Sequence, residues 1–549
     1  MGENNETTPL NTSDGHSDNE QPSRGKFHSR IGMVLSCMGC MVGTGNLWRF
    51  PRVLANNSGE TGALQFLLVW VLFLFLWSIP ILFIEYAVGR YCKLSVIRSY
   101  KFLIGSKNMW CGGWIITTAT LISAYYAVLV GWCFYYAVYF MIYPLPENLT
   151  ESEAIFYNFT AESYWPLVCN ALIVTLGALS ILTSVRGIEI VNSILVPTLL
   201  VLLLFTFIWA MTLDNAVYGL KFMFSPTWDL LLSPKTWVDA ASQSAFDTGA
   251  GNGLFISYSA FMTADNGIVR IGTLVPISNN IISLLNGMTI FATVFGIEIS
   301  QGKNLTEILT LLQTNGPGNT GLTFIWMPLL YSTATIGRVL AIAFFLAILF
   351  AGLSSVVAQM EFAVKTTEDL GVRRKVAVLI CSAVVFLIGL PSALNLSFLA
   401  SQDFVWGFAL IVSGLFLQYL VIRYDSSDFR ARLINEYSSS DWYLPKLWEW
   451  IIKFVAPVEA AILLLWFMLD NIINDADWYT LGFDTLMMCL LQWGVVIFGV
   501  ILANVIYVMR CLPKNEHYPV TMDTNHYEVN GIEMPKANDV IPDQSTTFP

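Results

Sequence analysis

Long apolar runs alternate with short polar loops along most of the chain, and the runs have membrane-crossing length. A bilayer core of roughly 30 Å needs about 20 apolar residues in a helix. Runs of that kind begin near Ile31, Gly62, Trp114, Trp165, Val191, Val238, Pro276, Val339, Val376, Phe404, Val455 and Leu486. The pattern predicts an all-α polytopic membrane protein of about 12 transmembrane helices. Two runs are interrupted: Gly43-Thr44-Gly45 breaks the first, and Gly249-Ala250-Gly251, just behind Asp247, breaks the sixth. Backbone at membrane depth gives up helical hydrogen bonds only where protein, water or a ligand takes them over. Matching breaks in two halves of a chain therefore predict a transporter with a central binding site.

Composition narrows the class further. Of 549 residues, 55% are hydrophobic and only 12% charged, which excludes an ordinary soluble globule. Residues 1–28 are polar, with no apolar h-region, so no cleavable signal is expected and the first span serves as its own. Basic residues gather in alternate loops: Arg90, Lys93, Arg98, Lys101 and Lys107; Arg373, Arg374 and Lys375; Arg423, Arg430 and Arg432; Arg510 and Lys514. The excess of positive charge on the cytoplasmic side then puts both termini in the cytoplasm. The complementary loops carry Asn148-Leu-Thr, Asn158-Phe-Thr and Asn304-Leu-Thr, which read as N-glycosylation acceptors on the outer face of a plasma-membrane protein.

Several chemistries are not expected. Cys37, Cys40, Cys169, Cys381 and Cys489 lie within spans and read as packing residues, with no pair for a loop disulfide and no histidine in the bundle for a metal cluster. No spaced nucleophile, base and orienter appears, the tails are too short for a soluble domain, and nothing points to nucleic acid, so an enzyme is not predicted. The net charge of −11 lies largely in tails and outer loops and says little about partners beyond the lipid bilayer. The oligomeric state is not specified by the sequence.

Polar side chains inside membrane spans are costly and mark function by default. Asn46, Glu85, Asp247, Asn252, Asn286, Ser354, Ser355 and Gln359 all fall inside spans. Glu85 reads as a structural partner to a broken helix, whereas Asp247 stands at a break, where an ion or substrate meets its carboxylate. Carbonyl, hydroxyl and carboxamide oxygens without sulfur or imidazole suit a hard cation such as sodium. The N-H groups freed at a half-helix start suit a carboxylate. A zwitterion coupled to sodium is the ligand these groups fit.

The run from Gly43 to Pro51 (GTGNLWRFP), followed by Glu85 to Tyr91 (EYAVGRY), resembles the signature of the neurotransmitter:sodium symporter family, in its sodium-dependent amino acid branch. Tyr125-Tyr126, Trp132, Trp237, Gln243, Asn286, Ala351 to Ser355 and Asp403 extend the resemblance over residues 24 to 510. The family is itself a standard example of transporters built on broken helices. The resemblance implies a 5+5 inverted repeat with broken helices 1 and 6, plus two C-terminal helices. The corresponding boundaries are a tail at 1–28, repeats at 29–212 and 213–424, the last two helices at 425–512 and a tail at 513–549. It implies a first sodium held by Met41, Asn46, Asp247 and Asn286, and a second held by Gly39, Val42, Ala351, Ser354 and Ser355. The implied substrate pocket comprises Gly43, Thr44, Gly45, Ile122, Tyr126, Phe246, Gly249, Asn252, Ser355 and Gln359. Arg49 with Asp403 resembles the outer gate and Arg24 with Asp369 the inner gate, where Phe27 replaces the usual Trp.

Within the resemblance, Gly43 replaces the Asp of monoamine members and leaves room for a substrate carboxylate. The amides of Asn252 and Gln359 favour a neutral amino acid, small or polar, or a related zwitterion, because unpaired pocket groups penalise a ligand that cannot bond them. Of the chloride-holding groups, Gln243 remains, but Ile290 replaces the seventh-span Ser, and the second-span Tyr is missing among Leu67, Leu68, Val69 and Trp70. Asp247 supplies a negative charge there, so chloride is not expected to be required. A proton carried by Asp247, or a cationic substrate side chain facing it, is an alternative use of the carboxylate. The other overall reading is a non-transporting sensor or scaffold derived from this fold, which accumulation of a labelled solute distinguishes.

Overall fold

The computed structural model describes residues 25–313, 320–438 and 440–511, and a short ladder pairing Glu528–Val529 with Ile532–Glu533. Among these residues, nine helices are long and apolar enough to cross a membrane: Leu64–Cys92, Ser106–Ile142, Val185–Met211, Ile268–Ser300, Gly337–Asp369, Arg374–Leu394, Leu396–Tyr424, Leu447–Asn474 and Leu486–Arg510. Three further spans fall short singly. Arg30–Met41 and Gly45–Asn56 are halves bent by 52° at the first glycine break. Pro234–Thr248 and Leu254–Ser259 are halves parted by the second break. Trp165–Ile181 has 17 residues and follows the outer helix Leu149–Thr160 at a 66° bend. In chain order these are the first to twelfth spans, and their order matches the hydropathy pattern.

Local chemistry explains irregularities inside the spans. Wide π-turns at Gly45–Arg49, Leu74–Ser78, Leu322–Trp326 and Ile451–Val455 each end two residues before a proline: Pro51, Pro80, Pro328 and Pro457. Proline has no N-H to donate and its ring crowds the turn before it, so the helix widens there rather than closing its usual bonds.

The third and eighth spans pack against each other at the centre, and the eighth also packs against the fifth. Arg30–Met41 lies on the fifth and eighth spans, and Leu254–Ser259 lies between the second and the eighth. Positions five spans apart correspond: the first and sixth are broken, and the third and eighth are the long central helices. The twelfth span sits at the periphery, with 17% of its apolar window buried against 78% for the eighth. Both broken helices are thus enclosed by protein, which is the condition for irregular backbone at membrane depth.

Candidate substrate and ion site

The sixth-span break is built from conformation. Gly249, Gly251 and Gly253 have φ of +67°, +97° and +78°, a left-handed region that side chains disfavour. The freed N-H groups meet Glu85, which is fully buried on the second span: Oε1 accepts from the Gly251 N-H at 2.9 Å and Oε2 from the Phe255 N-H at 3.2 Å. A carboxylate is well placed there, because a half-helix start carries positive partial charge. Glu85 is therefore the structural partner expected of it.

The first break is built from space. Neither Gly43 nor Gly45 has a positive φ. A Cβ on Gly43 would overlap the Tyr126 hydroxyl and come within 2.8 Å of Ser355 Oγ, and one on Gly45 would come within 2.8 Å of the Phe246 ring. The Gly43 N-H donates to Asn46 Oδ1 at 2.8 Å, and the Thr44 N-H donates to the Tyr126 hydroxyl at 2.8 Å. A tyrosine hydroxyl that accepts one bond has a single proton of its own to donate.

Between the breaks lies a cavity lined by Gly43, Gly45, Ile122, Tyr126, Phe246, Gly249, Asn252, Ser355 and Gln359. These are the expected substrate residues apart from Thr44, which takes part through its N-H to Tyr126. Cys40, Leu254 and Leu410 also line it and were not foreseen. Oδ1 of Asn252 and Oε1 of Gln359 are buried without a hydrogen-bond partner among the described residues.

Beside the cavity, Ser355 Oγ lies 3.4 Å from the carbonyl oxygens of both Gly39 and Val42 and 3.3 Å from that of Ala351. Ser354 Oγ donates to the Ala351 carbonyl at 2.8 Å. All the residues expected for the second sodium converge here, and their carbonyl and hydroxyl oxygens fit a hard cation.

A second cluster surrounds Asp247, which is 1% exposed. Its Oδ1 accepts from Gln243 Nε2 at 3.0 Å and its Oδ2 from Ser283 Oγ at 3.1 Å. The Asn46 amide donates to Asn279 Oδ1 at 2.9 Å and to Ser283 Oγ at 2.8 Å, and Met41 lines the adjoining cavity. Two expectations need correction here. The seventh-span asparagine facing Asn46 is Asn279 and not Asn286, which instead donates to the Leu47 carbonyl at 2.8 Å. Seven residues make nearly two helical turns, about 10 Å along the axis, so the two asparagines serve different levels. The seventh-span hydroxyl thought lost at Ile290 is present as Ser283, while Ile290 is buried in the apolar core. Trp70 is buried with its ring 4.6 Å from Phe50.

Among the described residues, Arg49 and Asp403 each bond to other partners. Arg49 donates to Gln243 Oε1 at 3.3 Å and to Ser242 Oγ at 3.2 Å, and its guanidinium stands 4.8 Å over the Phe246 ring. Asp403 accepts from the Tyr125 hydroxyl at 3.3 Å. At the inner end, Asp369 accepts from the Ser95 N-H at 2.5 Å and lies 3.8 Å from Lys365. Arg24 lies outside the described residues, and Phe27 packs edge-on to Phe261 at 6.1 Å. Asn148, Asn158 and Asn304 are exposed, and the first and last cap short helices by accepting from the N-H groups of Glu151 and Glu307.

Two broken helices facing each other across a buried polar cavity, with oxygen clusters on either side, define a multi-pass membrane transporter of the inverted-repeat class. The model of the sodium:neurotransmitter symporter family matches residues 24–160 and 156–514, and the chain belongs to that family. It is 27% identical over 450 residues to an uncharacterized sodium-dependent transporter of Methanocaldococcus jannaschii, covering 79% of this chain and 88% of that one. It is 25% identical over 432 residues to the sodium- and chloride-dependent taurine transporter of Rattus norvegicus, covering 70% of this chain and 68% of that one. The crystal structure of MhsT in complex with L-phenylalanine aligns with a TM-score of 0.69 at 28% identity, covering 80% of this chain and 99% of that one. The chain accordingly has the five-plus-five fold and belongs to a family of sodium-dependent secondary transporters, not of enzymes.

Proposed function

We propose that the protein is a sodium-coupled symporter for a neutral amino acid, small or polar, or a related zwitterion, working by alternating access without a chloride requirement. The observation that carries this reading is Asp247, a buried carboxylate between the two broken helices, bonded to Gln243 and Ser283. Ser283 bears directly on chloride independence, because its hydroxyl donates to Asp247. Both remaining anion-holding donors, Gln243 and Ser283, are already engaged by the Asp247 carboxylate, so the built-in charge takes the place an exchangeable anion would fill.

In this reading the first sodium is held by Asn46, Asp247, the Met41 carbonyl and Asn279 in place of Asn286. The second is held by Gly39, Val42, Ala351, Ser354 and Ser355. The substrate carboxylate meets the N-H groups around Gly45 and the Tyr126 hydroxyl, while the unpaired amides of Asn252 and Gln359 take up side-chain donors. Phe246, with Arg49 and Asp403, closes the outer side, and Asp369 with Arg24 closes the inner side. Two sodium ions and a neutral zwitterion make transport electrogenic, driven by about 2.3 kcal/mol per charge for each 100 mV. The working unit is the repeats 29–212 and 213–424 with helices of 425–512 at the rim, in a plasma membrane with both tails cytoplasmic and Asn148, Asn158 and Asn304 glycosylated.

The test is uptake of labelled amino acids and betaine-like zwitterions into expressing cells, with sodium and chloride replaced separately, beside Asp247→Ser. Sodium-dependent, chloride-independent uptake that becomes chloride-dependent in the variant is the expected result. Uptake by the unaltered protein that vanishes in gluconate overturns the role of Asp247, and surface protein that accumulates no solute overturns transport.

A further inference from the structure

Away from the transport site, the eleventh span carries a carboxylate with no partner. Glu459 lies near the middle of the 28-residue helix Leu447–Asn474, and so near the bilayer midplane. Both its carboxylate oxygens are buried and bond to nothing among the described residues. An ionisable group at that depth is costly and marks function by default. Glu459 lines a groove of about 680 Å³ on the membrane-facing side, walled by Leu72 and Leu76 of the second span and by Trp237 of the sixth. That volume falls within the roughly 300–1,000 Å³ typical of small-molecule sites. The remaining walls are apolar except for Trp466, whose indole N-H is buried and also unpartnered. Trp466 sits seven residues from Glu459, about 10 Å along the same helix.

A carboxylate on the floor of an otherwise apolar groove selects by charge. A fatty acid brings no counter-charge to the groove, and a neutral chain fills the space but leaves the carboxyl group unpaired. A cation on an apolar body satisfies both. We propose that this groove is a binding site for a lipophilic amine drawn from the bilayer, with its ammonium paired to Glu459 and its apolar body along Leu72 and Leu76. An acceptor oxygen about 10 Å away in such a ligand would take the Trp466 N-H. The site is separate from the transport cavity but adjoins it mechanically: Trp237, packed edge-on to Phe73 at 6.2 Å, belongs to the half-helix that ends at Asp247 and Thr248.

The test uses the full chain in phosphatidylcholine nanodiscs, photolabelled with a diazirine derivative of octadecylamine and with the matching octadecanol and octadecanoic acid. The expected result is amine labelling of second- and eleventh-span peptides at least about tenfold above the alcohol, roughly 1.4 kcal/mol. Glu459→Gln should bring the amine down to the alcohol's level. Leu76→Trp, which fills the groove and keeps the carboxylate, should lower labelling by all three. Equal labelling by amine and alcohol in the unaltered protein overturns the proposal, as does a preference that survives Glu459→Gln or labelling that survives Leu76→Trp.

Discussion

The two helix breaks use the same residue for different reasons. At the first, Gly43 and Gly45 keep ordinary backbone angles and are glycine because Tyr126, Ser355 and Phe246 crowd them. At the sixth, Gly249, Gly251 and Gly253 are glycine because the chain turns left-handed there, and a Cβ on Gly249 would meet nothing within 4 Å. The freed backbone groups are also treated differently. The first break is served by Asn46 and Tyr126, both part of the site, while the sixth depends on Glu85, whose bonds are to the backbone. The first break is therefore a tightly packed wall of the cavity, and the sixth is a conformational joint whose freed N-H groups meet a buried carboxylate.

That contrast is broken most directly at Glu85. Replacing it with Ala leaves two buried N-H groups unpaired, at about 1–3 kcal/mol each. Surface expression and the melting temperature of purified protein should fall sharply, with Glu85→Gln intermediate. A Glu85→Ala protein as stable as the parent would mean that the sixth break is satisfied elsewhere. Next in size is Gly43→Ala, where overpacking of about 1–3 kcal/mol should lower substrate affinity by roughly 10- to 100-fold with normal surface expression. Concentration-dependent uptake corrected for surface protein measures it. Unchanged affinity would show that the packing at Gly43 yields freely.

The seventh-span assignment gives a smaller but sharper comparison. Asn279→Ala should raise the sodium concentration for half-maximal uptake about tenfold, and Asn286→Ala should change it less than about threefold. The reverse order would restore the reading from motif spacing. Smallest of all is Gly249→Ala, whose left-handed angle costs about 1–2 kcal/mol but whose side chain enters open space. It should retain uptake of a small amino acid with a modest fall in melting temperature, and a loss exceeding that of Gly43→Ala would reverse the roles assigned to the two breaks.

Many residues of the candidate site are legible in the sequence. The pocket residues and the cluster of Gly39, Val42, Ala351, Ser354 and Ser355 are what the resemblance of the chain's motifs to the family's signature implies, and the structure brings them close together. The errors fall on the seventh span, where Asn279, Asn280 and Asn286 offered three amides along one helix. Choosing among them requires the rotation and depth of that helix against the first and sixth spans, which no local spacing contains. Ser283 was missed for the same reason, since a serine in an apolar span usually bonds within its own helix and only its neighbours reveal otherwise. Glu459 was missed because its meaning lies in what surrounds it, a groove whose walls come from three distant stretches of chain.

By itself, the amino-acid sequence determined the number and order of the spans, the positions of both breaks and which polar side chains fall inside spans, because hydrophobic length and glycine act locally. Only the tertiary structure decided which asparagine faces Asn46, which hydroxyl meets Asp247, what satisfies the sixth break and which carboxylate stays unpaired. Those outcomes depend on how each helix is rotated and seated against helices hundreds of residues away, a choice made by packing over the whole bundle.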